Sequence, residues 1–423
     1  MRHVWFLLVP IFCVGPLCAQ EDEGDDVSPY REMKTLARAV ELIRQDYVDE
    51  DKTGYEELIY NALRGMLEEL DPHSDFMDPK DFKGMQEDTR SEFGGLGVVV
   101  GMKNDRLTIV APMEGTPGFR AGLLPGDVLL EIGGQSAEKM SLRDAVDKLR
   151  GEAGTSVKLV VGREGEPKSL HFDIEREVIK VPSVRGAKVL EGEGPRVGYV
   201  RVTQFSEPTG KEFARALNEL EKQGIDGLVV DLRFNPGGLL GSAVEVAGEF
   251  LPGGALVAYT EGRSASAERR YLAPGKGRKP REYPVALLVN GSSASGAEIV
   301  AGALKDSGRA LLVGETTFGK GSVQSVVSLP DGSAVRLTTA KYFTPGEQPI
   351  HEKGVMPHVV ATMSGEDEAR LLALRRQEDL PAGTKREEIL PVDDVPLQRA
   401  ADALRGVLLH AKEGAAPAPS EEG

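Results

Sequence analysis

Val285-Ala-Leu-Leu-Val-Asn-Gly-Ser-Ser-Ala-Ser-Gly-Ala-Glu298 passes from an apolar run through a turn of small residues into a helical pattern. Residues 285–289 read as a strand, and Ser295 opens a helix over residues 295–307, where capping is the commonest job for a serine. Working outward, further strands are expected at residues 197–202, 228–232, 311–313, 323–329 and 335–342, and helices over 209–223 and 240–250. Strands alternating with helices predict an α/β sheet.

Gly314-Glu-Thr-Thr-Phe-Gly-Lys-Gly-Ser-Val-Gln324 is a second segment rich in small residues, and it carries Lys320. A hydroxyl is a poor nucleophile until a base takes its proton, and lysine is a base only when neutral. With an ordinary pKa of about 10.4, roughly one lysine in two thousand is neutral at pH 7, so a base here needs a shift of about three units. Burial among glycines and alanines supplies such a shift, and Gln324 offers a neutral amide to orient the amine. An adjacent carboxylate would hold the proton on. The chain has no His/Asp pairing with recognisable spacing and no G-x-S-x-G elbow.

The segment also satisfies the first seven positions of a phosphate-binding loop. Gly321 then stands where Ser or Thr must ligate magnesium, and a strand follows where a helix should, which argues against nucleotide binding. None of the histidines lies in an H-E-x-x-H arrangement, so neither a cofactor nor a dedicated metal site is expected. His73 and His351 read as hydrogen-bonded structural residues rather than bases.

These segments resemble the carboxy-terminal processing proteases, the tail-specific Ser/Lys peptidases of the S41 type. The resemblance spans nearly all of the mature chain and includes Leu70-Asp-Pro-His-Ser-Asp-Phe-Met-Asp-Pro79, Gly94-Gly-Leu-Gly97, Arg120-Ala-Gly-Leu-Leu-Pro-Gly-Asp127 and Asp231-Leu-Arg-Phe-Asn-Pro-Gly-Gly-Leu-Leu240. It implies a crotonase-like α/β core with Ser295 as nucleophile, Lys320 as general base and Gln324 as its positioning partner. It also implies oxyanion donors at Gly296 and at Gly237 or Gly238; Asp231 and Arg233 read as bracing that turn rather than acting on substrate. Two departures stand out: the family's Ser-Ala-Ser-Ala-Ser-Glu is Ser-Ala-Ser-Gly-Ala-Glu298 here, and a late Pro-Asp-Val is Pro357-His-Val359, which leaves a local turn contact open.

Residues 92–177 change pattern to short strands, at 98–101, 108–111, 128–132, 157–161 and 170–174, with one helix from Ser141 whose Asp144 makes an acidic capping box. This matches a PDZ module. In that fold a peptide adds as an edge strand and a glycine-rich loop binds its terminal carboxylate, which singles out Gly94, Gly95, Leu96, Gly97 and Val98.

A chain of 423 residues has room for two or three domains, and a net charge of −16 argues against nucleic acid or anionic membrane as partner. Residues 1–19 have a basic start, a short apolar run and a small-residue cut after Ala19, the pattern of an export signal; an uncleaved anchor is the alternative. Both cysteines, Cys13 and Cys18, lie inside it. The layout is then a signal peptide (1–19), a helical region (28–91), the PDZ domain (92–177), a Ser/Lys peptidase core (178–365), a C-terminal helical region (366–412) and a disordered tail (413–423). The expected function is an exported serine endopeptidase, periplasmic or extracytoplasmic, that binds apolar protein C-termini. The alternative is a catalytically silent PDZ scaffold. A lipoprotein adaptor or homo-oligomerisation is what the resemblance leaves open.

Overall fold

The computed structural model describes residues 29–414 apart from 278, 382, 383, 385 and 387. The expected signal peptide lies outside the described residues, as does the tail from residue 415 on.

The chain divides into two compact units at residue 66. In the first, helix Pro29–Asp46 is joined through a 3-10 turn, Glu50–Lys52, to helix Tyr55–Glu68. The Arg44 guanidinium lies 3.7 Å from the Tyr55 ring centroid, and the Tyr55 hydroxyl donates to Glu41 Oε2 at 2.9 Å.

The second unit begins with strand Asp75–Met77 and helix Pro79–Arg90. Asp78 caps that helix by accepting the N–H groups of Lys80 and Asp81, with Pro79 at its first position, a signal present in the sequence but not anticipated above.

The PDZ sheet runs in the order Val98–Lys103, Arg106–Pro112, Val128–Ile132, Ser156–Gly162, Leu170–Glu175. Alternate residues Leu107, Ile109, Leu129, Leu159 and Val161 point inward against helix Leu142–Leu149. Ser141 caps this helix as expected, accepting from Asp144 N at 3.1 Å and donating to its carboxylate at 2.6 Å. Strand Val98–Lys103 pairs on one side only among the described residues, so its other edge is open. Gly94 and Gly95 lie in strand Glu92–Gly95, paired to Val178 and Glu177, and not in a free loop. Only Gly97, at φ 68, makes the left-handed turn before the open edge.

The peptidase core is a six-stranded sheet ordered Val184–Val189, Val197–Val202, Gly227–Asp231, Val285–Val289, Ala310–Gly314, Val359–Val360; all neighbours from the second strand onward are parallel. Both faces are covered, as continuous apolar strands require. Leu228, Val230, Leu287 and Val289 pack against helices Thr209–Lys222, Leu240–Gly248 and Gly296–Asp306. Their neighbours Val229, Ala286 and Leu288 face Ala400 and Leu404 of helix Val395–Gly414. A second, antiparallel sheet contains Ala334–Phe343, which pairs with Asp75–Met77, Leu256–Gly262 and Ser322–Ser328.

Candidate active site

Three loops leave the carboxyl ends of adjacent parallel strands, where an open α/β sheet offers a crevice. Register pairs Asp231 with Leu288 and Val289 with Gly314, so the loops after 231, 289 and 314 emerge side by side. They are stitched together. Ser293 Oγ donates to Leu232 O at 2.8 Å, Ala294 N to Asn235 O at 2.9 Å, and Phe318 N to Ser293 O at 3.0 Å. This crossover topology brings the segments of Ser295 and Lys320 together.

Ser295 is the N-cap of helix Gly296–Asp306, as expected, but its backbone sits at φ 50, ψ −112. That conformation is uncommon for a side-chain-bearing residue and costs on the order of 1–3 kcal/mol, which the surroundings must supply. They do so through Glu298. Its carboxylate is fully buried and accepts Ser295 N at 2.8 Å, Lys320 N at 2.8 Å, Gly319 N at 2.7 Å and Thr317 Oγ1 at 2.6 Å. Ser295 and Lys320 share the same oxygen, Oε2, so their amide nitrogens lie within twice that distance of each other. Burial raises the Glu298 pKa and the four donors only partly offset this.

Lys320 is half-buried, and its pKa is lowered, first by burial and then by the charge of Arg336, with Glu298 opposing. This is the direction a lysine base requires. The carboxylate that would hold its proton on is present, but its oxygens are turned to three backbone N–H groups and the Thr317 hydroxyl. No hydrogen bond joins Ser295 Oγ to Lys320 Nζ among the described residues. Gln324 Nε2 donates to Ser322 Oγ at 3.1 Å and Thr338 Oγ1 at 3.0 Å, which places its amide beside the Lys320 loop without a bond to the amine. Thr338 Oγ1 in turn donates to Asp71 Oδ1 at 3.1 Å, tying the Asp71-Pro-His-Ser motif to this sheet.

The Asn235-Pro-Gly-Gly238 turn lies directly on the Ser295 elbow. A Cβ on Gly237, whose φ is 100, would come within 2.6 Å of Ser295 Cβ and 2.9 Å of Gly296 N. The Gly237 N–H is taken by Asn235 Oδ1 at 2.8 Å. The N–H groups of Gly238 and Gly296 have no acceptor among the described residues, which makes them the pair open to a ligand oxygen.

Asp231 is fully buried. Burial alone would push its carboxyl pKa up, but Arg233 and Arg375 outweigh this and hold it well below the ordinary carboxylate range. Arg233 also forks onto Asp394 Oδ1 and Oδ2 at 2.7 and 2.8 Å. Both residues therefore brace the strand end that launches the glycine turn. His358 Nδ1 accepts Leu312 N at 3.0 Å, which supplies the local contact left open at Pro357-His-Val359. His351 Nδ1 is buried with no hydrogen-bond partner among the described residues, so the hydrogen-bonded role expected of it is not met at that atom. The phosphate-loop pattern ends in strand Ser322–Ser328, not a helix.

Residues 196–361 match Peptidase family S41, and residues 108–163 match a PDZ domain. Over 436 aligned residues the chain is 37% identical to the carboxy-terminal-processing protease of Bartonella bacilliformis, covering 97% of this chain and 98% of that one. The chain belongs to the carboxy-terminal processing proteases. It is likewise 39% identical over 345 residues to carboxy-terminal processing protease CtpB of Bacillus subtilis, covering 81% and 70% of the two chains. Among solved structures it is similar to the photosystem II D1 C-terminal processing protease, at 31% identity, coverage of 78% and 93%, and a TM-score of 0.46. As a carboxy-terminal processing protease it is a serine-type peptidase with a PDZ domain, acting on protein or peptide substrates. The sequence reasoning passed over one residue, Glu298, although Ser295-x-x-Glu298 has the spacing of a capping box.

Proposed function

We propose that this protease is an exported endopeptidase that binds apolar protein C-termini through its PDZ domain and cuts through an acyl-enzyme at Ser295. The observation that carries this reading is the shared anchoring of Ser295 and Lys320 on Glu298 Oε2, beside two backbone N–H groups that have no acceptor among the described residues. Neutral Lys320 takes the Ser295 Oγ proton as Oγ bonds to the scissile carbonyl carbon. The oxyanion receives the N–H groups of Gly296 and Gly238. Collapse breaks the C–N bond, and the Lys320 ammonium returns the proton to the departing amine. Water, deprotonated by the same lysine, then hydrolyses the ester and regenerates Ser295. Gln324 orients Lys320 once substrate rearranges the Ser322 and Thr338 contacts.

Export to a periplasmic or other extracytoplasmic compartment is supported by the basic and apolar N-terminal segment. A lipoprotein adaptor and a homo-oligomer are partners consistent with this reading. The test is a mass-spectrometric digest of an unfolded protein with an apolar tail. Cleavage should be lost in Ser295→Ala, Lys320→Ala and Lys320→Arg, since guanidinium stays charged. Near-parental turnover by Lys320→Ala would remove the Ser/Lys assignment.

A further inference from the structure

The open edge of strand Val98–Lys103 lines a cavity of about 800 Å³ whose near wall is PDZ, including Val98, Val100, Val146 and Leu149. Its far wall is not. Arg185 comes from the core, and Arg376, Leu380 and Pro381 come from the end of helix Gly365–Glu378 and the residues just beyond it. That exit is pinned in place, because Asp379 Oδ1 accepts Arg201 Nη2 at 2.6 Å and lies 3.5 Å from Arg185 Nη1.

Charge at the cavity opposes the charge of the whole chain. Arg150, Arg185 and Arg376 line it against Glu114 and Asp379, within a protein of net charge −16. Asp379 is occupied by Arg185 and Arg201, and Arg150 lies with its guanidinium 4.3 Å from the Phe93 ring centroid. Arg376 is exposed and has no ion-pair partner among the described residues. The lining therefore combines apolar side chains with an excess of uncompensated positive charge, which is complementary to an extended peptide that is apolar at its end and acidic a few residues upstream.

We propose that Arg376, with Leu380 beside it, is a specificity-determining residue of this protease: the far wall of the groove selects protein tails carrying an Asp or Glu close to an apolar C-terminus. The proposal rests on the tail-binding reading given above and adds a selector outside the PDZ module. Leu380 contributes apolar contact whatever the tail's charge, and Arg376 contributes the preference.

The experiment uses the full chain with Ser295→Ala, so that binding is read without turnover, and fluorescent peptides ending in the same apolar residues. The peptides carry Asp, Asn or Lys at the second, third or fourth position from the end, and each is made with a free or an amidated carboxyl. The parent should bind an Asp tail about threefold to tenfold tighter than its Lys counterpart, the combined effect of one exposed ion pair gained and one like-charge contact avoided. Arg376→Gln should flatten that ratio, Arg376→Glu should invert it, and Leu380→Ser should weaken all free tails alike. Equal binding of Asp and Lys tails by the parent, or a ratio unmoved in both Arg376 variants, overturns the proposal while a preference for free over amidated tails leaves tail binding standing. A parent that binds no tail removes both readings.

Discussion

The backbone N–H groups of Ser295 and Lys320 donate to one oxygen atom, Oε2 of Glu298, each at 2.8 Å. The nucleophile's strained backbone and the base's loop are thus set by a single buried side chain, on a helix whose first turn includes both the candidate oxyanion donor Gly296 and Glu298 itself.

Glu298→Gln keeps the volume but replaces one acceptor oxygen with a donor facing N–H groups. The fold should persist with a lowered melting temperature, while kcat should drop about a hundredfold, the cost of misplacing reacting groups by an ångström or so. KM for a tailed substrate should change little, because the groove residues are untouched. A steady-state comparison separates the two constants, and an unchanged kcat would show that Glu298 does not hold the pair.

Lys320 has its pKa lowered by burial and then by Arg336. Activity should therefore rise with pH through an apparent pKa below the ordinary lysine value, since the neutral amine is the working form. Arg336→Gln removes a nearby positive charge, makes the ammonium easier to form, and should move this acidic limb toward higher pH. The check is kcat/KM against pH on one peptide for both proteins, and a limb that stays put would remove Arg336 from the account.

Gly237→Ala introduces a Cβ that would stand 2.6 Å from Ser295 Cβ at a φ of 100. The turn must move, and the Gly238 N–H with it, so cleavage should fall by about a hundredfold or more, as when an oxyanion donor is lost. Peptide binding by the PDZ groove should survive, measured with the same fluorescent tails.

Asp231→Asn leaves Arg233 and Arg375 close-packed around a neutral amide. Breaking a buried ion cluster from one side costs about 3–5 kcal/mol. The carboxyl's depressed pKa means its contribution is present above the ordinary carboxylate range and is lost as pH falls through the lowered value. The difference in stability between parent and variant should therefore be largest near neutrality and shrink in strong acid, read by denaturant titration at several pH values.

The sequence carried the alternation of strands and helices because the parallel strands are short apolar runs, and it carried Ser295 and Lys320 because small-residue segments are conspicuous. Helix Pro79–Arg90 was legible through Asp78 and Pro79, but with Phe82 and Met85 as its large apolar side chains it shows no helical apolar stripe. Gly94 and Gly95 read as loop since glycine is rare in strands, yet tertiary pairing with Glu177–Lys180 draws them into a ladder. Glu298 could be placed at the third helical position from its spacing. Its reach to Thr317, Gly319 and Lys320 could not, because that depends on how two adjacent strands align. Likewise Leu397, Ala400 and Leu404 recur at helical spacing, but nothing local says that they close the second face of the sheet.

That closing helix has a consequence for biosynthesis. Tyr199, Val229, Ala286 and Leu288 are translated long before Ala400 and Leu404, which cover them, and Arg233 is made long before Asp394, its second counter-ion. During synthesis the sheet would present an uncovered oily surface, and the glycine turn would lack part of its electrostatic brace. The peptidase half of this chain therefore completes its packing and its electrostatic brace only after its distal segment has been delivered.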